Sequence, residues 1–362
     1  MPETLGRSVF DGELGFPLMV VHRDALDHNI ATLAAFARDH GLELAPHAKT
    51  HMSPEIAARQ LGAGAWGLTV ATPAQARTVR GFGVRRILVA NQVVDPAGLR
   101  WAAAELDADP DFTLLSFADS QAGVDILAAH AGSRPFPVLA ELGHPGGRAG
   151  CRTVEELLEL ARYVERTDGV ELAGVAGYEG ALGTAQEVRK YLDLLQEAVE
   201  HLRVRTPILT VGGSQWFDVI GRHLAATQAR VLLRSGAYVT HDDGFYRERT
   251  PYNRMDGELR PALEVWAHVL STPEPGLAVV GMGKRDAPYD EGLPVPRRAG
   301  VTVVKMQDQH TLVRADGLRP GDLLAFGISH PCTAFDKWRE LPLVDRDYRV
   351  AGTITTHFQE QP

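Results

Sequence analysis

The chain has 362 residues, 44% of them hydrophobic, enough for one large barrel with an appendage or for two domains. A net charge of −9 argues against a nucleic-acid partner, and no apolar run approaches the roughly 18 residues of a membrane span. Cys151 and Cys332 are its only cysteines, and the opening MPETLGRSVFDGELG lacks the basic and apolar regions of a signal peptide, so the expected compartment is the cytoplasm.

In chain order, residues 19–22 read as a strand and 23–41 as a helix. Eight short apolar runs follow at fairly even spacing: 42–47, 66–71, 86–91, 113–118, 137–142, 171–178, 207–211 and 231–234. Several are rich in Val, Ile and Leu on both faces, as buried parallel strands should be. Helical patterns lie between them at 53–61, 73–81, 96–106, 120–131, 153–166, 184–203 and 215–227. Ser53-Pro54 suits a helix start, and Thr153 with Glu156 has capping-box spacing. Strand-then-helix units in this number predict an α/β fold with a (β/α)8 barrel over residues 22–246. After residue 246, prolines, glycines and short strand patterns (264–270, 277–280, 300–306, 311–315, 322–326, 350–357) predict a mainly β domain from 247–362 that also takes in residues 1–21.

In such a barrel the site lies at the C-terminal ends of the strands. Lys49, in Pro46-His47-Ala48-Lys49-Thr50-His51, follows the first strand. A surface lysine is its ordinary reading; the chemical reading is a Schiff-base anchor for a carbonyl cofactor, which partial burial and nearby cations would activate. Asn91/Gln92, Asp119, Glu141/His144 and Tyr178/Glu179 supply further polar side chains at strand ends. Gly212-Gly213-Ser214 and Ser235-Gly236-Ala237 follow the last two strands. Ordinary turns would explain both, but glycine amides there, with a helix beginning near Gln215, suit a phosphate. Arg148 lies in the loop Gly143-His144-Pro145-Gly146-Gly147-Arg148-Ala149-Gly150, where it could face an anionic ring oxygen.

Far downstream, His330-Pro331-Cys332 places an imidazole and a thiol two residues apart. A packed cysteine beside an exposed histidine is the plain alternative. As a pair they suit a divalent metal, zinc before manganese or magnesium; His310 and His357 are weaker ligand candidates. An anchor lysine and a metal pair in one chain point to pyridoxal phosphate (PLP) chemistry assisted by a metal ion.

The stretches PHAKTHMSPEIAARQLGAGAWGLTVATPAQA, ILVANQVVDP, GRAGC, VGGS, LRSGAYVTHD and GDLLAFGISHPC resemble the D-serine dehydratase-like and D-threonine aldolase family, PLP enzymes of alanine-racemase type (fold type III). The resemblance covers nearly the whole chain and is nearest to bacterial amino acid deaminases. It implies that Lys49 carries PLP, with Arg148 at the phenolic oxygen and Tyr178 near the ring. His47 and Gln92 join the cofactor set. Gly212, Gly213, Ser214, Gly236, Ala237 and Tyr238 match the phosphate-binding and adjacent segments, and His330 and Cys332 match the metal pair. Family members with His-x-Cys resemble zinc-dependent dehydratases; those with His-x-Asp resemble aldolases using manganese or magnesium. The expected activity is therefore a lyase that dehydrates and deaminates a β-hydroxy D-amino acid of D-serine or D-threonine type. Retro-aldol cleavage, racemisation and a non-catalytic regulatory role are the alternatives. The expected partner is a small amino acid substrate, with no nucleic acid or membrane, and the expected assembly is a homodimer. The chain departs from the family pattern at Gly177-Tyr178-Glu179-Gly180-Ala181, where a histidine-rich segment is common, and at Arg234-Ser235-Gly236, which replaces Arg-Pro-Gly. Glu179 adds a carboxylate that could favour a substrate other than serine, with a cationic or hydroxylated side chain.

Overall fold

A computed structural model describes residues 4–358. The chain begins with β1 (Leu18–His22) and α1 (Arg23–Asp39), then alternates strand and helix. The pairs are β2 (Glu43–Leu44) and α2 (Pro54–Gly62), β3 (Leu68–Val70) and α3 (Pro73–Gly81), β4 (Arg86–Gln92) and α4 (Pro96–Ala108), and β5 (Thr113–Ala118) and α5 (Gln121–Ala128). They continue with β6 (Phe136–Leu142) and α6 (Val154–Val164), β7 (Val170–Gly177) and α7 (Ala185–Glu200), and β8 (Ile208–Val211) and α8 (Phe217–His223). After β9 (Arg230–Leu233) only a 3-10 turn, Ala237–Val239, and a short α9 (Phe245–Arg249) follow. Two compact units result. One contains Ala34–Lys49 and Gln60–Gly236; the other contains the chain up to Leu33, Thr50–Arg59 and the chain from Ala237.

The first unit is the parallel barrel. Its strands run in the order β2-β9-β8-β7-β6-β5-β4-β3, all parallel. The ring closes where Trp66 N–H donates to Leu44 O at 2.7 Å and Thr69 N–H donates to Pro46 O at 2.9 Å. β2 is two residues long, not the six expected: Pro46 has no N–H for the ladder, and the chain turns at Ala48–Thr50. Alternate residues fill the barrel interior, among them Leu88, Leu115, Leu139, Ala176, Ile208 and Leu232. Their neighbours Ile87, Val89 and Leu114 are buried on the other side of the strands. This two-faced burial is why the strands read as continuous apolar runs. Thr72, Asp95, Ser120, Thr153 and Thr184 cap the helices that follow them. Thr184 with Glu187 forms a full capping box, whereas Glu156 accepts from Arg152 N–H.

The second unit is built on a nine-stranded sheet. Its later strands are β10 (Leu263–Glu274), β11 (Leu277–Val280), β12 (Val295–Pro296), β13 (Thr302–Met306), β14 (Thr311–Arg314), β15 (Leu323–Gly327), β16 (Glu340–Val344) and β17 (Val350–Thr355). β1 joins this sheet, antiparallel to β10 and parallel to β16. β16 is absent from the sequence expectation because Pro342 lies inside it. β1 pairs with β16 only at Leu343 and Val344, so the ladder on that side stops short of the proline. A buried polar cluster braces the sheet. Glu264, 4% exposed, accepts from Trp266 Nε1, Tyr348 OH and Arg297 Nε, and Arg297 also grips Asp243.

Candidate active site and metal centre

The barrel strands end in the polar residues that the sequence singles out, and the structure brings many of them into one another's fields. His47 pairs with Thr69 as an isolated bridge between strand ends. Burial pushes its imidazole well below the usual histidine range, and the cations Lys49, Arg234 and Arg148 push it further. His47 is therefore neutral, and its buried Nδ1 has no hydrogen-bond partner in the protein. An orphaned ring nitrogen of this kind fits a site that receives a polar group from outside. Lys49 is exposed on the 3-10 turn just after β2, where a small carbonyl compound can reach it.

Across the barrel mouth, Gln92 Nε2 donates to Glu141 Oε2 at 2.6 Å. Burial raises the Glu141 carboxyl, against the pull of Gln92, Arg234 and Arg148. The Arg148 guanidinium lies 5.7 Å from the centre of the Tyr178 ring, a cation–π contact. Glu141, Gly143, His144, Arg148 and Tyr178 line one cleft. Its loop is held by Asp119, which accepts from Gly150 N–H at 3.2 Å, and by Arg152, which donates to Gly147 O and Ala149 O. A larger groove, at Arg77, Arg80, Trp101 and Asp109, lies on the outer helices and contains none of these groups.

Two features differ from the sequence reading. The helix expected from Gln215 begins at Phe217 and is seven residues long, because Trp216 has a non-helical backbone and offers no side-chain cap. Its dipole is correspondingly a weak aid to a phosphate. The amides of Gly212 and Gly213 are both engaged: they donate to Glu179 Oε2 at 3.0 Å and Oε1 at 2.7 Å. Glu179 is 0% exposed. It is therefore not a carboxylate offered to a cationic substrate. Gly212 has φ +118°, and a Cβ there would lie 2.4 Å from Leu233 Cδ1, so this position requires glycine. Ser214 is half-buried, and Ser235 Oγ donates to Gly213 O at 3.0 Å. Gly236 is buried in the barrel unit; Ala237 and Tyr238 are buried in the 3-10 turn that opens the last segment of the β-rich unit.

In the β-rich unit, His330 and Cys332 flank Pro331 at the start of a 3-10 turn. Burial alone would lower His330; hydrogen bonding and charge from Cys332 and Asp290 overcome this and hold it at about 9. His330 Nδ1 lies 2.7 Å from Asp290 Oδ2, and Thr333 Oγ1 donates to Asp290 Oδ1 at 3.1 Å. The rings of Phe245 and Tyr246 pack near the imidazole at 5.5 and 5.8 Å. A carboxylate thus orients the imidazole through Nδ1, with the Cys332 thiol two residues on, an arrangement that fits a metal ligand. Among the described residues no cluster of three or more His, Cys, Asp or Glu side chains has metal-holding geometry. Asp290 has no motif in the sequence and lies 40 residues from His330; only the fold pairs them.

Residues 21–236 match the family described as "Alanine racemase, N-terminal domain". The chain belongs to this family. Its members are fold-type III PLP enzymes, consistent with the barrel and the attached β-rich unit. Residues 262–344 match a "Putative serine dehydratase domain". The chain is 28% identical to a D-threonine aldolase of Arthrobacter sp over 327 residues, 85% of this chain and 82% of that protein. It is 29% identical over 244 residues to a D-threo-3-hydroxyaspartate dehydratase of Delftia sp. (strain HT23), 63% of this chain and 62% of that one. The crystal structure of D-threonine aldolase from Filomicrobium marinum superposes with a TM-score of 0.84 at 25% identity, covering 95% of both chains. No helix among the described residues is long and apolar enough to cross a membrane.

Proposed function

We propose that this chain is a PLP- and divalent-metal-dependent lyase that converts a β-hydroxy D-amino acid of D-serine or D-threonine type to a keto acid and ammonia. The observation that carries the reading is the His330–Cys332 pair, braced by Asp290, in a chain of the alanine racemase family. The relatives named above, an aldolase and a dehydratase of β-hydroxy D-amino acids, support the substrate class.

PLP held by Lys49 supplies an electron sink for charge developing at the substrate Cα. Lys49 Nζ, freed once the substrate amine takes its place, would take the α-proton. Arg148, Tyr178 and Gln92 orient the ring. His47 contributes no charge, because burial and three cations keep it neutral. His330 and Cys332 would hold a divalent ion, zinc by donor chemistry, which would supply Lewis-acid help to the departing β-hydroxyl. The net change balances: water leaves with the hydroxyl and is regained when the nitrogen is released as ammonia.

Retro-aldol cleavage to glycine and an aldehyde is the second reading, favoured by the two D-threonine aldolase matches. Cys332 in place of a harder carboxylate donor favours elimination. The test is a screen of D- and L-β-hydroxy amino acids with product identification, with and without chelator. Keto acid and ammonia that disappear on chelation support the proposal. Glycine and aldehyde establish the second reading, and full activity in chelator removes the metal from the reaction. We further propose a cytoplasmic homodimer, which analytical ultracentrifugation of the purified protein tests.

A further inference from the structure

The buried network around Glu179 exceeds what a turn needs. Its two carboxylate oxygens take one amide each from Gly212 and Gly213; burial raises its carboxyl, and the glycine amides and the field of Arg234 pull against that rise. Arg234, 5% exposed, donates to Gly177 O at 2.7 Å and to Thr210 Oγ1 at 2.9 Å. Tyr191 OH, 13 residues on, accepts from Tyr178 N–H at 3.1 Å and donates to Leu142 O. The backbone is thus tied at residues 177 and 178 and the side chain at 179, while the Tyr178 side chain is 40% exposed beside Arg148. The ends of β6, β7, β8 and β9 are joined through these few groups.

We propose that Glu179 is a positioning residue: it locks the Gly212–Gly213 turn and the backbone under Tyr178, and it leaves the phosphate of PLP to the donors that follow, Ser214 and Gly236. Two occupied amides cannot also serve a phosphate, and a second anion beside a buried carboxylate would be repelled. The lock instead fixes where Ser214 begins. This rests on the PLP reading above, and it assigns Glu179 no contact with substrate.

The test measures cofactor binding, not turnover. The full-length chain, stripped of cofactor, is titrated with PLP and with pyridoxal, which lacks the phosphate, and binding is followed by visible absorbance. Glu179→Gln should weaken PLP about tenfold, the scale of one lost hydrogen bond to a charged group, and leave pyridoxal within about twofold. Ser214→Ala should give the same selective loss without disturbing a buried charge, so it decides the matter should Glu179→Gln fail to fold. An unchanged PLP-to-pyridoxal ratio in both variants, or tighter PLP binding in Glu179→Gln, overturns the proposal. Failure of the unaltered chain to bind PLP refutes the functional reading and this one together; normal binding with unaffected variants refutes this one alone.

Discussion

Replacing Arg234 by methionine keeps an unbranched stem and removes the guanidinium with its charge and donors. Two charge-assisted hydrogen bonds are lost, to Thr210 and Gly177, each worth about 1.5–3 kcal/mol. Part returns through the packing of methionine near Phe117, whose ring centre lies 5.4 Å from the guanidinium. Glu179, fully buried, loses the cation set against it. The two hydrogen bonds set the expected loss at about 3–6 kcal/mol before that packing is returned. Urea unfolding of the cofactor-free chain, followed by circular dichroism, reads the loss directly. The double variant Arg234→Met/Glu179→Gln should be less destabilised than the sum of the singles, with a coupling of about 1–3 kcal/mol. Additivity within about 0.5 kcal/mol would show that the two do not act as a pair. A loss below about 1 kcal/mol in Arg234→Met would mean that the guanidinium is solvated, not buried in a network.

Lys49→Ala should abolish PLP that borohydride locks onto the protein while leaving the circular dichroism spectrum unchanged; persistent locked cofactor would move the anchor to another lysine. Asp290→Asn should weaken zinc binding by about 10–100-fold in chelator competition, because the Nδ1 partner of His330 loses its charge. Gly212→Ala should cost about 2 kcal/mol or more through its positive φ and the Leu233 contact, whereas Gly213→Ala, whose Cβ meets nothing nearer than 3.6 Å, should stay within about 0.5 kcal/mol. Burial, then Arg247, lowers His241 to about 4, so it folds neutral. Stability from this group is complete above the unfolded value near 6.5 and falls as pH drops toward 4, by about 3 kcal/mol in all. His241→Asn, which tolerates the φ of 49°, should flatten that part of the stability–pH curve measured by urea titration.

The barrel was legible because parallel strands buried on both faces leave unbroken apolar runs, and because helix starts carry their caps in the sequence. Thr113–Ala118 and Pro73–Gly81 match the expected elements end to end. Strand ends were less legible where a single residue decides. Pro46 stops β2, the backbone of Trp216 delays α8, and Pro342 conceals β16, whose ladder to β1 stops short of the proline. The early strand expected at residues 19–22 runs from Leu18 to His22 and pairs with β10 and β16.

Side-chain chemistry was legible where a motif is local and hidden where the fold supplies the partner. His330 and Cys332 are two residues apart and visible; the carboxylate that orients the imidazole comes from residue 290. Gly212 and Gly213 have the composition of a phosphate loop, and composition cannot say which acceptor their amides meet. The answer is Glu179, 33 and 34 residues earlier, which the sequence offered as an anionic feature of the substrate site. Buried amides must find an acceptor, and an unpaired buried carboxylate is costly; each solves the other's problem once β7 and β8 are adjacent. A departure from the family pattern at Glu179 therefore changes how the turn after β8 is held before it changes what the site recognises.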